Sequence, residues 1–251
     1  NGAGKSNIIS FFRMLSYMMS KSFGKYVEMS GTSNALLHYG TKKTPVMSGE
    51  IKFSDSKSID TYSFSLSNAT PDRLIITEER IVWHRKGKVK PYEVTLEPVF
   101  KESALAESDN PVAKTIFQML SYCKVYQFHD SSVEGPLRQV CPVDTTNYLQ
   151  SHGNNLPSFL LFLRDNYINS YNRIVDYVRD VVPQFQDFYL EPNNRFISLR
   201  WMDNSATDYR FNAYQFSDGS IRFIALATLL LQPPQTMPNV IILDEPELGL
   251  H

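Results

Sequence analysis

The first residues of the chain could bind phosphate. They read Asn1-Gly2-Ala3-Gly4-Lys5-Ser6-Asn7 ahead of a helical pattern, and they match the second half of the loop G-x-x-x-x-G-K-[ST]. The opening glycine would lie just before residue 1. In such a loop, backbone N–H groups turn toward phosphate oxygens, and the following helix points its positive end at them. Lys5 would pair with the β- and γ-phosphates, and the Ser6 hydroxyl would bind Mg²⁺. The alternative is a glycine-rich turn that caps a helix.

Two adjacent carboxylates near the other end could hold a metal ion and activate water. The run Val240-Ile241-Ile242-Leu243 is continuously apolar, as in a strand buried on both faces, and Asp244-Glu245-Pro246 follow it. Sheets of α/β proteins hold ligands at this end of a strand. Asp244 would hold Mg²⁺ through water, and Glu245 would orient or deprotonate an attacking water. The alternative is a strand followed by a solvated acidic turn.

A third segment could receive an anion at the start of a helix. Phe216-Ser217-Asp218-Gly219-Ser220 opens an apolar helical pattern that continues to Leu231 and stops before Pro233-Pro234. A serine hydroxyl and free backbone N–H groups at a helix N-terminus favour negative charge. An ordinary helix N-cap explains the same residues. Arg222, in the first turn, could face phosphate or a partner, or simply pack as a surface arginine.

The bulk composition is that of an ordinary globular protein. In 251 residues, 25 Lys and Arg balance 26 Asp and Glu, which leaves a net charge of −1. Because no global basic field exists, any contact with nucleic acid must come from a local patch. The two cysteines, Cys123 and Cys141, lack metal-binding spacing, so we expect reduced thiols in a cytoplasmic protein. No apolar run reaches the roughly 18–20 residues that span a bilayer, and no membrane contact is expected.

The elements that must position these segments divide into a β-rich and a helical part. From Val46 to Leu96, apolar and polar residues alternate between turn-formers, which predicts an antiparallel meander with one solvated face. Lys86-Gly87-Lys88 reads as a hairpin tip, and Tyr62 and Trp83 read as core residues. The lysines around this tip could also touch a DNA backbone, although such a run is more often solvated.

Helical periodicity marks two further segments. Ile8, Phe12, Leu15 and Met19 predict one buried face of a helix over residues 7–19. The longest helical pattern runs from Ser158 to Val182 and ends at Pro183. Between the two, residues 125–129 read as a short strand. Gln127 and His129 lie at its end; one interpretation is that they are buried strand residues, and the family resemblance described below implies another, a loop that senses Mg²⁺ and water. Residues 196–201 and 209–214 read as a second β pair.

The three chemical segments together resemble one family. The chain carries the phosphate loop first, then Ser-Asp-Gly-Ser-Ile-Arg-Phe-Ile-Ala-Leu-Ala, then Leu-Asp-Glu-Pro-Glu-Leu-Gly-Leu-His. This order is similar to that of ABC-type ATPase heads, in which the Walker A, signature, Walker B and D-loop motifs follow one another. The residues of these motifs look like those of the RecF-type and overcoming-lysogenization-defect (OLD)-type ATPases. More narrowly, the chain resembles the compact "AAA family" predicted ATPases of bacteria and archaea. No a/d seam runs between the motifs, which argues against the branch of the family that inserts a long coiled coil there.

The resemblance implies a fold class and a site. It implies an α/β fold: a P-loop NTPase of the ABC type as one domain over residues 1–251, with an antiparallel β lobe at 46–100 and an inserted helical lobe at 144–190. We expect both ends to be cut and the natural chain to continue beyond them. The cofactors implied are ATP and Mg²⁺. The nucleotide-binding residues would be Asn1, Gly2, Ala3, Gly4, Lys5, Ser6, Asn7, Ser217 and Gly219, the metal-binding residues Ser6 and Asp244, and the catalytic residue Glu245.

In that family, the signature serine and glycine of one subunit contact the γ-phosphate held by the other. Ser217 and Gly219 match those positions, so the resemblance implies a homodimer closed through its nucleotide sites. Asp218 departs from the glycine of transporter signatures, and Ser220 departs from the glutamine. His251 falls in the segment that matches the D-loop.

The resemblance also implies three alternative roles. Relatives act in DNA repair or in defence against phages and plasmids, often with a nuclease domain or neighbour, which makes DNA one candidate partner. The second role is an ATP-binding switch that recruits a nuclease or toxin partner with little turnover. The third, ranked last, is the ATPase subunit of a membrane transporter.

Overall fold

The computed structural model describes residues 4–97, 102–143 and 147–247. The chain divides into two compact units, Asn1–Cys123 and Lys124–His251. The predicted phosphate-loop residues Asn1, Gly2 and Ala3 lie outside the described residues, as do Leu248, Gly249, Leu250 and His251. The same holds for residues 98–101 and 144–146, at the margins of the two predicted lobes.

Among the residues that the structure describes, the first unit combines four α-helices with a four-stranded sheet. The helices are α1 (Lys5–Met19), α2 (Phe23–Met29), α3 (Thr32–Leu36) and α4 (Pro111–Ser121). The strands are β1 (Val46–Ser54), β2 (Ser58–Ala69), β3 (Arg73–Arg85) and β4 (Tyr92–Leu96). They pair in chain order, and each pairing is antiparallel. The tight turn at Lys86 and Gly87 begins the connection from β3 to β4, as the hairpin-tip pattern predicts.

In strand β3, the residues that face the core change from even to odd positions along the strand. Leu74 and Ile76 face the core on even positions, whereas Glu79 and Ile81 face it on odd positions. The pairing shows how this is possible: Ser65 faces Glu78, but Leu66 faces Ile76, so Thr77 is an extra residue in β3. Such a bulge shifts the inward face by one residue.

The core of the first unit gathers apolar side chains from α1, α2, α4 and the sheet, and Tyr62 in β2 is fully buried there. Two predictions about this core are wrong. Ile8 is 58% exposed and Ile9 is buried in its place, because α1 turns Ile9, Met14 and Met18 inward. Trp83 is 37% exposed, because it lies near the end of β3, where the strand passes beyond the core.

Within its described ranges, the second unit is built from three α-helices and several short strands. Its helices are α5 (Leu156–Asn166), α6 (Ile168–Val181) and α7 (Asp218–Leu231). Its strands are β5 (Cys123–Tyr126), β6 (Cys141–Pro142), β7 (Phe185–Tyr189), β8 (Phe196–Ile197), β9 (Arg200–Asp203), β10 (Ala206–Asn212) and β11 (Val240–Leu243). They form a three-stranded sheet in the order β10-β9-β7, and the pairs β11-β5 and β6-β8. The predicted pairing of residues 196–201 with 209–214 holds only for Arg200 and Trp201 of β9, which pair with β10. The predicted strand over 196–201 is two strands: β8 pairs with β6, and β9 also pairs with β7, partners that the sequence did not indicate.

The single long helix predicted over Ser158–Val182 is two helices. The break falls at Tyr167, whose backbone (φ −141°, ψ 57°) is outside the helical region. Next to it, the Asn166 side chain donates to the carbonyl of Phe162, a local bond that competes with helix continuation. The apolar periodicity of the predicted helix places Val181 on the inward face, but Val181 is 50% exposed. The predicted helical lobe at 144–190 also contains strand β7.

The core of the second unit joins α5, α6, α7 and the three-stranded sheet. Phe185, Trp201 and Phe216 lie within 6.3 Å of one another by ring centroids.

Strand β11 is half-buried along its whole length, so the prediction that it is buried on both faces is wrong among the described residues. No helix in the described ranges is both long and apolar enough to cross a membrane. Cys141 is buried, and burial raises the pKa of its thiol.

Candidate functional site

Asp244 lies where strand β11 ends beside strand β5. The backbone N–H of Asp244 donates to the carbonyl of Tyr126, the last residue of β5, over 3.1 Å. The apolar run before Asp244 explains the strand, and Pro246 explains why it does not continue. The pairing therefore brings the residues that follow β5 next to the Asp244 carboxylate.

Two side chains that follow β5 contact this carboxylate. Gln127 Nε2 donates to Asp244 Oδ2 over 2.7 Å, and His129 Nε2 lies 3.1 Å from the same oxygen. The side chains of His129 and Asp244 are 32% and 21% exposed, so solvent still reaches both. The predicted strand over 125–129 ends at Tyr126, and this frees both side chains from strand geometry. The arrangement holds one carboxylate in a defined orientation at the surface.

Glu245 follows directly. Its backbone φ is 46°, in the left-handed region that non-glycine residues adopt rarely, and the residue is exposed. A small cleft includes Asp244 and Glu245, and its wall adds residues from the end of β5 and the loop after it, from α7, and from the end of β11 and the turn after it: Tyr126, Phe128, His129, Arg222, Leu226, Leu243 and Pro246.

The loop after His129 is held by its own polar groups. The carboxylate of Asp130 accepts from the backbone N–H and hydroxyl of Ser132, and these bonds, with the nearby Arg222 cation, lower the pKa of Asp130. Gly135 approaches so closely that an added Cβ would lie 2.4 Å from the Asp130 carbonyl oxygen. Arg222 donates from α7 to the carbonyl of His129. Arg222 is thus engaged within its own unit, as the packing interpretation predicted.

Ser217 caps helix α7. Its Oγ accepts from the backbone N–H of Ser220 over 3.0 Å, the geometry of an N-cap. Ser217 and Asp218 are exposed, and Gly219 is half-buried. The ordinary cap that the sequence allowed is therefore present, and a contact between Ser217 or Gly219 and a second subunit stays a prediction.

The phosphate-loop residues that the structure describes start helix α1. Gly4 has φ 79°, in the left-handed region, and its carbonyl accepts from the N–H groups of Asn7 and Ile8. Lys5, Ser6 and Asn7 are exposed in the first turn, which holds no acidic residue and no side-chain cap. An uncapped helix N-terminus beside a lysine and a serine fits an anionic phosphate and its cation.

The predicted residues fall into two groups. Asp244, Glu245, Ser217 and Gly219 belong to the second unit, whereas Gly4, Lys5, Ser6 and Asn7 belong to the first. The set that would hold Mg²⁺, Ser6 with Asp244, therefore takes one residue from each unit and remains a prediction. Within the ranges that the structure describes, no group of three or more His, Cys, Asp or Glu side chains is placed to hold a metal ion. A cation at Asp244 would need oxygen ligands from phosphate and water as well.

The contacts of Gln127 and His129 with Asp244 are the part of the site that the sequence did not settle. Both residues were candidates at the end of a strand, with burial in that strand as the alternative. What decides their position is the pairing of β5 with β11, two strands far apart in the chain. Residues 126–129 alternate between apolar and polar side chains across the end of β5, so no local signal in the sequence indicated these contacts.

One comparison with known proteins bears on this site. Residues 134–251 match the family model described as "AAA domain, putative AbiEii toxin, Type IV TA system". The match includes helix α7, strand β11 and the Asp244-Glu245 pair. It supports an AAA-type ATPase, which is a P-loop class of ATP-binding domain. No curated protein matches the chain.

Proposed function

We propose that the protein binds and hydrolyses ATP as an ABC-type head, in a dimer closed through its nucleotide sites. The observation that carries the proposal is the Asp244 carboxylate at the end of β11, oriented by Gln127 and His129, with an exposed Glu245 beside it. The family match over residues 134–251 supports the ATPase class. The motif order along the chain supports the narrower, ABC-type assignment.

Each residue has a role in this proposal. Gly4, Lys5, Ser6 and Asn7, with Asn1, Gly2 and Ala3 before them, bind the phosphates through backbone N–H groups and the lysine cation. Ser6 and Asp244 hold Mg²⁺, which when bound supplies positive charge to the phosphate oxygens. Gln127 and His129 keep the Asp244 carboxylate in place. Glu245 orients the attacking water and accepts its proton.

Ser217 and Gly219 complete the site of a second copy. Both lie at the N-terminus of α7, a helix of 14 residues whose dipole favours negative charge at this end. Ser217 and its neighbour Asp218 are exposed, so a partner can reach them. In this arrangement a single copy lacks part of each site, and hydrolysis depends on association.

The biological output proposed first is DNA repair or defence against phages and other mobile elements. It rests on the resemblance to RecF-type and OLD-type ATPases and on the defence context in the description of the matched family. The second candidate is an ATP-binding switch that recruits a nuclease or toxin partner with little turnover. The toxin–antitoxin wording of that description favours this candidate. A transporter subunit stays the third candidate.

Glu245→Gln tests the proposed chemistry in the full chain. The variant keeps the shape of the side chain but cannot accept a proton, so we expect ATP binding, a stable ATP-bound dimer, and turnover reduced about 100-fold or more. Phosphate release measures turnover, and light scattering with ATP measures the dimer. Glu28→Gln is the matched control, since Glu28 is exposed on α2. Turnover at the parent rate in Glu245→Gln would refute the role of Glu245.

Steady-state phosphate release with and without DNA separates the two output candidates. A motor or sensor acting on DNA should show turnover that changes when DNA is added. A recruiting switch should bind ATP with negligible turnover under both conditions. Co-purification with a membrane protein would instead support a transporter.

A further inference from the structure

Arg138 ties the loop after β5 to the start of helix α7. Its side chain is 4% exposed. Its Nε donates to the carbonyl of Ser131 over 2.8 Å, its Nη1 donates to the carbonyl of Ala213, and its Nη2 donates to the carbonyl of Phe216 over 3.1 Å. Three carbonyls from two separate segments thus converge on one buried guanidinium. A planar fork of five donors suits this task, and a lysine could not reproduce it.

The same guanidinium has a carboxylate partner at its edge. Arg138 Nη2 lies 2.8 Å from Asp218 Oδ1, and the Asp218 side chain is 66% exposed. Removing the partner of a buried charge is costly because the charge remains without compensation. Asp218 is also the position at which this chain departs from the glycine of transporter signatures. The buried cation gives a physical reason for that departure.

A second arginine links the same loop to α7, at the end of the loop away from Arg138. Arg222, one turn along α7 from Asp218, donates to the carbonyl of His129. The ring of His129 in turn lies 3.1 Å from the Asp244 carboxylate. The loop from His129 to Arg138 is therefore bound to α7 at both of its ends. A continuous set of polar contacts connects Asp244 to the residues that flank the Ser217 cap.

We propose that Arg138 is a positioning residue and that Asp218 is its counterion rather than a ligand of phosphate. Together they set where Ser217 and the first turn of α7 stand relative to Asp244. The inference rests on the proposed function, since it assigns these contacts a role in a nucleotide site. It goes beyond that function because it gives the second residue of the signature an intramolecular task.

The competing interpretation is that Asp218 acts directly on a second subunit or its nucleotide. A double-mutant cycle with Arg138→Met and Asp218→Asn distinguishes the two. If Asp218 works through Arg138, each single variant lowers kcat about tenfold with little change in KM for ATP, and the double variant loses no more than the worse single variant. If Asp218 acts directly, the two losses multiply, and the proposal fails.

Hydrogen exchange gives a readout that needs no turnover. The amides of Ser220 and Ile221 bond to Ser217 and report whether the first turn of α7 is formed. We expect both single variants to speed their exchange by a similar factor, without a further increase in the double variant. Unchanged exchange in Asp218→Asn would overturn the proposal, and this variant serves even if Arg138→Met fails to fold. Arg173→Met, which alters an exposed arginine on α6, is the control.

The double-mutant cycle and the hydrogen exchange together distinguish a failure of the proposed function from a failure of the roles assigned to Arg138 and Asp218. A parent protein without ATP turnover refutes the proposed function, and the exchange data then decide the role of Arg138 alone. A parent with turnover, combined with multiplying losses in the cycle, refutes the role of Arg138 and Asp218 and leaves the ATPase intact. Arg138→Lys should not rescue kcat, because an ammonium group cannot reach three carbonyls at once.

Discussion

Some buried side chains in this protein make hydrogen bonds that apolar side chains could not replace. Glu79 shows this in the first unit: it is fully buried, and its carboxylate accepts from the hydroxyls of Tyr62 and Ser103 and from the N–H of Ala104. Burial and the neighbouring carboxylate hold the pKa of Tyr62 far above its usual range. The tyrosine therefore stays a neutral donor at any ordinary pH.

Glu79→Ala should destabilise the protein by about 3 kcal/mol or more, because it leaves three buried donors without an acceptor. Urea unfolding of the full chain measures the loss. The adjacent Glu78→Ala is the control, since Glu78 is exposed on the other face of β3. Equal losses in the two variants would show that the buried contacts contribute nothing specific.

Asp72 predicts an acid dependence of stability. Its carboxylate accepts from the side chains of Ser33 and Thr32 and from the N–H of Asn34, and these bonds lower its pKa from the ordinary 3.8. A lowered pKa means that this contribution is complete above the unfolded-state pKa and is lost as pH falls through the folded-state value. Stability should therefore fall below about pH 4 more steeply in the parent than in Asp72→Asn.

Asparagine tolerates the left-handed backbone at residue 72 (φ 98°), so the substitution isolates the charge. Urea midpoints measured from about pH 6 to about pH 2 test the difference in slope. Asp208→Asn, at an exposed position of β10, should retain the slope of the parent. Identical slopes in all three proteins would contradict the prediction.

At the scale of elements, the loop from His129 to Arg138 depends on close approach. Gly135→Ala would place a Cβ 2.4 Å from the carbonyl oxygen of Asp130, a backbone atom that cannot rotate away. We expect a loss of about 1–3 kcal/mol in the free energy of unfolding. Gly24→Ala in α2 is the control: its added Cβ meets only Glu102 Oε1, at 3.8 Å, so this change should be neutral or mildly stabilising. A neutral Gly135→Ala would show that the loop adjusts freely.

The elements also show how far a sequence can be interpreted before its structure is known. Strand β11 matched its expected bounds, and α7 began within two residues of them, because an apolar run closed by proline is a local signal. The break at Tyr167 was missed because the apolar periodicity continues across it. The contacts of Gln127 and His129 with Asp244 were left open because strand pairing between distant segments has no local signal. The phosphate-binding prediction rests on the order of the three motifs, and it stays a prediction for all of residues 1–7.

At the scale of the whole molecule, the chain consists of two units, each with its own hydrophobic core. The proposed nucleotide site takes Lys5 and Ser6 from one unit and Asp244 from the other. The proposal adds Ser217 from a second copy. The net charge of −1 provides no long-range attraction between the protein and DNA.

The need for a second copy makes activity depend on concentration. If Ser217 of one subunit completes the site of another, ATP turnover per molecule should rise with protein concentration and reach a plateau. Phosphate release over an about 100-fold dilution series tests this, with light scattering on the same samples. Constant turnover per molecule across a range in which the protein is monomeric would refute the shared site.

The extra residue in β3 has a consequence for how this sheet can change over generations. Thr77 divides β3 into two halves. The residues that face the core have even numbers before it and odd numbers after it, so no single substitution can make the strand regular. Deleting Thr77 would remove the extra residue and leave Leu74, Ile76, Glu79 and Ile81 alternating regularly on the inner face, with the pairings on both sides of it unchanged. The core therefore does not fix the length of the strand at this point, and we expect deletion of Thr77 to be tolerated among functional variants about as well as replacement of this exposed threonine.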